Sequence, residues 1–138
     1  MSRILNYIVL SLLLLACGQS NSVEKSEFAS QKKGIYKLAP KEFMETYYAF
    51  EQAVLLDVRT PNEYKAGSIL PEAINVDYHS KEFLTELVPV LVEKKPVFVY
   101  CHSGQRSDKA IFKMKQMGFD HLYDLSGGYA LWKKENEQ

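Results

Sequence analysis

The residues best equipped for chemistry form one run, Tyr100-Cys101-His102-Ser103-Gly104-Gln105-Arg106-Ser107. It follows Pro96-Val97-Phe98-Val99-Tyr100, the strongest strand signal in the chain, and leads into a stretch of helical spacing. A cysteine at such a junction faces the backbone N–H groups of the connecting loop and the positive end of the helix dipole. Successive N–H groups can form a concave nest for an anion. Both effects favour thiolate over thiol, and the thiolate is the nucleophile. Gly104 permits a tight curl that a Cβ would obstruct. Arg106 brings a permanent cation able to grip an oxyanion with two prongs. Ser107 can cap the helix and offer a hydroxyl to the site. Read alone, the Cys-x-x-Gly-x-Arg-Ser string also fits a buried structural cysteine ahead of a capped helix, with Arg106 a solvated charge.

The elements that must position this run are legible around it. Ile35 to Leu38 reads as a short strand. Pro40 can open a helix carrying Phe43, Tyr47 and Phe50 on one face. Ala53 to Val58 is a compact apolar run of the buried parallel type. Thr60-Pro61-Asn62-Glu63 is a capping box opening a short helix that Gly67 can end. Ala73 to Val76 is a third strand, and Ser80 starts a helix through Phe83, Leu84 and Leu87, disturbed near Pro89. Ser107 to Met117 reads as a helix with Ala110, Ile111, Met114 and Met117 inward and Gly118 at its end. His121 to Leu125 is the last strand, and Gly127-Gly128 turns into a helix with Leu131 and Trp132. Strands alternating with helices make an α/β domain with a mainly parallel sheet, whose ligands bind beyond the carboxyl ends of the strands. Cys101 lies at that end.

Composition agrees with a single such domain. The chain has 138 residues, 46% hydrophobic and 25% charged, against roughly 100–200 residues per domain. Lys+Arg and Asp+Glu are 17 each, which argues against a nucleic-acid binder relying on bulk positive charge. The 2 cysteines, Cys17 and Cys101, are too few for a zinc ribbon or a disulfide scaffold.

The N-terminus reads as an address. Arg3 precedes an almost wholly apolar run, Ile4 to Ala16, shorter than the ~20 residues of a membrane-spanning helix and matching the core of a secretory signal. Leu14-Leu15-Ala16-Cys17 resembles the bacterial lipobox, which implies cleavage after residue 16 and lipid on Cys17. The polar stretch to about Lys33 is then a tether, spanning roughly 22 Å as a random coil. The expected organisation is signal peptide 1–16, lipidated cysteine and tether 17–33, and folded domain 34–138. The expected location is the bacterial cell envelope, membrane-anchored and extracytoplasmic, in the periplasm.

One ordered set of motifs ties the folded part together. Leu56-Asp57-Val58-Arg59, Glu63-Tyr64, Gly67-Ser68-Ile69 and Ala73-Ile74-Asn75-Val76 precede the cysteine run. Gly118-Phe119 and Tyr123-Asp124-Leu125-Ser126-Gly127-Gly128-Tyr129-Ala130-Leu131-Trp132 follow it. From Ile35 to Lys134 the chain resembles a single-domain rhodanese. The resemblance implies a three-layer α/β domain with a central five-stranded parallel sheet flanked by helices. It also implies sulfane-sulfur transfer by ping-pong covalent catalysis. A small donor such as thiosulfate would load Cys101 as a persulfide, and cyanide, a thiol or a protein acceptor would remove the outer sulfur. Carried over by position, Cys101 is the nucleophile and His102, Ser103, Gly104, Gln105 and Arg106 cradle its sulfur. Ser107 stands at the helix start, and Arg106 clamps the donor's sulfonate. Asp57 and Arg59 organise the floor of the site as an ion pair rather than acting chemically. No cofactor, metal or nucleic acid is implied.

The family usually has Gly-His-Ile-Pro-Gly-Ala before the third strand. Here the stretch is Gly67-Ser68-Ile69-Leu70-Pro71-Glu72-Ala73, one residue longer and without the His, which bears on substrate preference. His102 beside Cys101 is not expected to form a dyad with it, because neighbours on a curled loop point apart. His79 and His121 stand alone, while Phe119, Tyr123 and Trp132 are expected to pack the core. Two other readings belong beside sulfur transfer. Phosphatases and arsenate reductases of related fold separate cysteine and arginine by five residues, whereas four, His102 to Gln105, intervene here. A non-catalytic persulfide carrier or interaction module would keep the same loop.

Overall fold

The computed structural model describes residues 33–91 and 95–137. The signal-like run, Cys17 and the tether up to residue 32 lie outside the described residues. In chain order the elements are β1 (Gly34–Leu38), α1 (Pro40–Ala49), β2 (Val54–Asp57), α2 (Pro61–Lys65) and β3 (Ile74–Asn75). They continue with α3 (Phe83–Leu91), β4 (Val97–Tyr100), α4 (Gln105–Gln116), β5 (His121–Leu125) and α5 (Gly128–Asn136). Among these, no helix is long and apolar enough to cross a membrane.

The five strands form one sheet in the order β1-β5-β4-β2-β3. Every neighbouring pair is parallel, with Val97 opposite both Val54 and Leu122. Side chains alternate across a strand, so the all-apolar β4 serves both faces. Val97 and Val99 pack with Phe83, Leu87 and Leu91 of α3 and Ala110, Ile111 and Met114 of α4. Phe98 and Tyr100 pack on the other face with Phe43 of α1, Leu125 and, more loosely, Trp132 of α5. Phe98 is the hub of that second layer. Its ring stacks on Tyr123 at 4.3 Å and meets Phe43 edge-on at 5.2 Å, geometries that suit the quadrupoles of both rings. The result is the expected three-layer α/β fold.

Three local expectations need correction. Helix α3 runs through Pro89 to Leu91. A proline there removes one N–H on an exposed side, and the buried stripe Phe83, Leu87 and Leu91 holds the helix together. Helix α4 begins at Gln105, capped by Gly104, so Ser107 lies inside the first turn instead of capping it. Met117 falls beyond the end of α4 and is 39% exposed, because the helical period that would have turned it inward has stopped.

Candidate active site

Cys101 follows directly from β4, the middle strand, and is buried. Three residues turn the chain into α4. The turn closes at Gly104, whose φ of 98° lies in the left-handed region that favours glycine. This conformation aims the Gly104 N–H back at the Cys101 Sγ, 3.1 Å away. Such a donor suits a sulfur that carries negative charge.

The loop is fixed from three sides. On the α5 side the contacts are made by backbone. Tyr129 N–H donates to the Cys101 carbonyl at 2.8 Å and Ala130 N–H to the His102 carbonyl at 3.0 Å. Two otherwise unpaired N–H groups at the start of α5 are satisfied in this way. A planar trans peptide sets N–H opposite C=O. The same bonds therefore turn the N–H groups of His102 and Ser103 away from α5, toward the inside of the loop. Gly128 makes this approach possible, since a Cβ there would come within 2.6 Å of the Cys101 carbonyl oxygen.

Beneath the loop, Ser107 is fully buried and donates its hydroxyl to the Gly104 carbonyl at 3.0 Å. Asp108 N–H reaches the same oxygen at 3.0 Å. Behind Ser107 lies Asp124 of β5, 2% exposed. Burial raises its carboxyl to about 6, helped by the neighbouring Asp108 and opposed by the Lys37 ammonium. Lys37 offsets burial only in part. It stands 3.3 Å from Asp124 Oδ2 while donating to both oxygens of Asp108 at 2.8 and 3.0 Å.

The floor on the α5 face is the buried pair Asp57 and Arg59. Arg59 donates through Nε and Nη2 to the Asp57 carboxylate, and Nη2 also reaches the Gly67 carbonyl at 2.7 Å. Its guanidinium lies 4.0 Å from the centre of the Tyr129 ring. Tyr100 sits beside this pair with its hydroxyl accepting from Ile69 N–H at 3.3 Å. Burial pushes that phenol far above its ordinary range, so it serves as a neutral strut and not as a base. The extended 67–73 segment is held at Gly67, Ile69 and Ala73, the last two of them buried, while Pro71 and Glu72 are exposed.

At the rim, Arg106 is engaged. Its Nη1 and Nη2 donate to Oε2 and Oε1 of Glu63, each at 2.7 Å. Glu63 Oε2 also accepts from Thr60 N–H at 3.1 Å and from the Thr60 hydroxyl at 2.8 Å. One carboxylate thus completes the capping box of α2 and holds the fork of Arg106. The Arg106 bonds hold its carboxyl down to about 2. The Arg106 pKa is raised, chiefly by the Glu63 bonds and less by the Cys101 sulfur.

A thiol at a strand end, in a loop lined with N–H groups, can attack an electrophilic atom and carry it. The sequence model for the rhodanese-like domain matches residues 40–135. The chain belongs to the rhodanese-like family. It is similar to a protein named thiosulfate sulfurtransferase GlpE from Pseudomonas syringae pv. syringae, 32% identical over 81 residues, which cover 59% of this chain and 73% of that one. It is 36% identical over 109 residues to the adenylyltransferase and sulfurtransferase MOCS3 of Arabidopsis thaliana, covering 70% of this chain but 23% of that protein. A rhodanese-related protein from Thermoplasma volcanium shares the fold with a TM-score of 0.61 at 30% identity, over 73% of this chain and 93% of that one. At family level the chain is a rhodanese-like sulfurtransferase homologue, of a kind that takes sulfur from a donor and gives it to an acceptor.

This rhodanese-like domain brings the sequence-derived residues together, with differences in what each touches. Cys101 and Gly104 meet at the sulfur, and His102, Ser103 and Gln105 are exposed around it. Asp57 and Arg59 form the floor pair. Ser107 braces the loop from below and has no exposed surface of its own. Four contributors escaped the sequence reading: Glu63 as the partner of Arg106, Gly128 and Tyr129 as anchors of the loop, and Asp124 beneath it. Glu63 had a local explanation in its capping box. Only the placement of α2 and α4 after the neighbouring strands β2 and β4 brings it to Arg106.

Proposed function

We propose that this domain moves sulfane sulfur through a persulfide on Cys101. The observation that carries the reading is the Gly104 N–H bond to Sγ, inside a loop whose first two carbonyls are drawn outward by α5. In the first half-reaction the Cys101 thiolate attacks the outer sulfur of the donor. With thiosulfate, the S–S bond breaks and sulfite leaves with the electron pair. In the second, a thiolate or cyanide attacks the outer sulfur of the persulfide and the Cys101 thiolate returns. The loop N–H groups suit both the thiolate and the terminal sulfur of the persulfide. The four-residue spacing from Cys101 to Arg106 supports sulfur chemistry over phosphoryl transfer, because the smaller ring suits one sulfur atom better than a tetrahedral phosphate.

Intact-mass measurement after exposure to a sulfur donor tests this. One added sulfur is expected, removed by cyanide and absent in Cys101→Ser. That exchange is nearly isosteric and leaves a far weaker nucleophile. A folded Cys101→Ser chain with wild-type turnover would reject the mechanism. A loadable chain that passes sulfur to no small acceptor would instead be a carrier. We also propose that Cys17 is lipidated and anchors the domain outside the cytoplasm. Cys17→Ala should then leave the chain unprocessed or release it from membranes.

A further inference from the structure

We propose that Glu63 decides which class of sulfur donor the site accepts: by holding both terminal nitrogens of Arg106, it disfavours dianionic sulfonate donors and leaves the site suited to hydropersulfides. The proposal rests on the sulfurtransferase reading above and deepens it.

The first ground is occupancy. A free guanidinium could offer its fork to two oxygens of a sulfonate. Here the fork is already filled, with Nη1 and Nη2 each 2.7 Å from a different oxygen of Glu63. Arg106 keeps its Nε edge, the edge through which Arg59 holds Asp57, so Glu63 removes the end-on fork and the net positive charge of Arg106.

The second ground is anchorage. Glu63 is itself fixed on α2. Its Oε2 is also bonded to the backbone and the hydroxyl of Thr60. Drawing Glu63 away from Arg106 would unmake the cap of α2 as well as the ion pair.

The third ground is charge. Arg59, the other arginine at the site, is bound to Asp57. Lys37, behind Ser107, is shared between Asp108 and Asp124. The Glu63–Arg106 pair sums to zero, and Glu63 stays ionised at any working pH. A thiosulfate dianion approaching the Cys101 thiolate therefore meets like charge that the loop N–H groups offset without a free side-chain cation. A hydropersulfide brings at most one negative charge, and its neutral form, R–S–SH, meets no such barrier. The thiolate attacks its terminal sulfur, the S–S bond breaks, R–S⁻ leaves with the electron pair, and the proton stays on the new Cys101 persulfide.

Pre-steady-state loading of the full-length chain with thiosulfate, and separately with 2-hydroxyethyl hydropersulfide, tests the proposal. Glu63→Gln keeps an acceptor for Thr60 and removes the charge. It should speed thiosulfate loading on the order of tenfold and change hydropersulfide loading less than about twofold. Glu63→Asp, which keeps the charge, should retain the wild-type donor ratio. Equal loss with both donors in a folded Glu63→Gln chain, or an unchanged ratio, would overturn the proposal and make Glu63 a structural residue only. The wild type gives a reading even if the variants fail to fold. Its thiosulfate loading should rise with inert salt, as for reactants of like charge, whereas a flat response would mean a neutral mouth, a falling one a cationic mouth, and either would sink the idea. A wild type that loads from neither donor would remove the sulfurtransferase reading itself. One that loads from both, with the wrong salt or variant response, removes only the role of Glu63.

Discussion

Two carboxylates flank the Cys101 loop, each beside a cation, and they behave oppositely. Glu63 at the rim meets the fork of Arg106 through two bonds of 2.7 Å, and its carboxyl is held down to about 2. Asp124 on the underside is buried, its cation is shared with Asp108, and its carboxyl is raised to about 6. The sign of the neighbour does not decide the outcome. Where the cation supplies directed hydrogen bonds and water still reaches the pair, the charged form wins. Where the carboxylate is desolvated and the cation stands farther off, burial wins. The loop is thus flanked by a permanently charged rim and an underside that titrates near neutrality.

The largest effect is expected where the loop is held without either carboxylate. Gly128→Ala sets a Cβ against the Cys101 carbonyl oxygen at 2.6 Å, at a φ of 62°. Overpacking and the left-handed backbone together should cost about 2–4 kcal/mol, read from urea unfolding, and sulfur loading should fall with it. Wild-type stability and loading in this variant would mean that α5 does not hold the loop.

Asp124→Asn isolates the underside. A carboxyl raised from its ordinary 3.8 to about 6 contributes stability that is full below 3.8 and is lost as pH rises through 6. The wild type should therefore lose about 2 kcal/mol from this group between pH 4 and 7, and the variant should not. Urea midpoints across that range check it, and parallel profiles would show that Asp124 is not desolvated as described.

Glu63→Gln gives the smallest stability change and the opposite pH profile. A carboxyl lowered from 4.5 to about 2 contributes stability present above 4.5 and lost as pH falls toward 2. The pair is partly exposed, so the loss should stay below about 1 kcal/mol. Acid titrations of the variant and the wild type should differ above pH 4.5 and converge as pH falls toward 2.

Much of this arrangement was legible in sequence because it is local. The β4 run places Cys101 at a strand end, and Thr60 and Glu63 are three residues apart. The rest depends on distant chain segments. Glu63 already satisfied its local motif, so nothing in sequence sent its second oxygen to Arg106. Ser107 resembled a cap because serine usually is one, yet Gly104 takes that place through a positive φ that serine would resist. Asp124 lies in an otherwise apolar strand, and its neighbours Lys37 and Ser107 are fixed by the pairing of β1 with β5 and the packing of α4. Met117 followed a helical spacing that the helix itself did not keep.

The same anchor that fixes the loop also connects it to light. Trp132, the only tryptophan in the sequence, stacks on Tyr129 at 5.7 Å. Tyr129 in turn lies over the Arg59 cation and donates its N–H to the carbonyl of Cys101. The loop is therefore one backbone hydrogen bond and one ring contact away from a single indole. Excited selectively, that one indole is expected to report loading and unloading of Cys101 as a label-free change in emission.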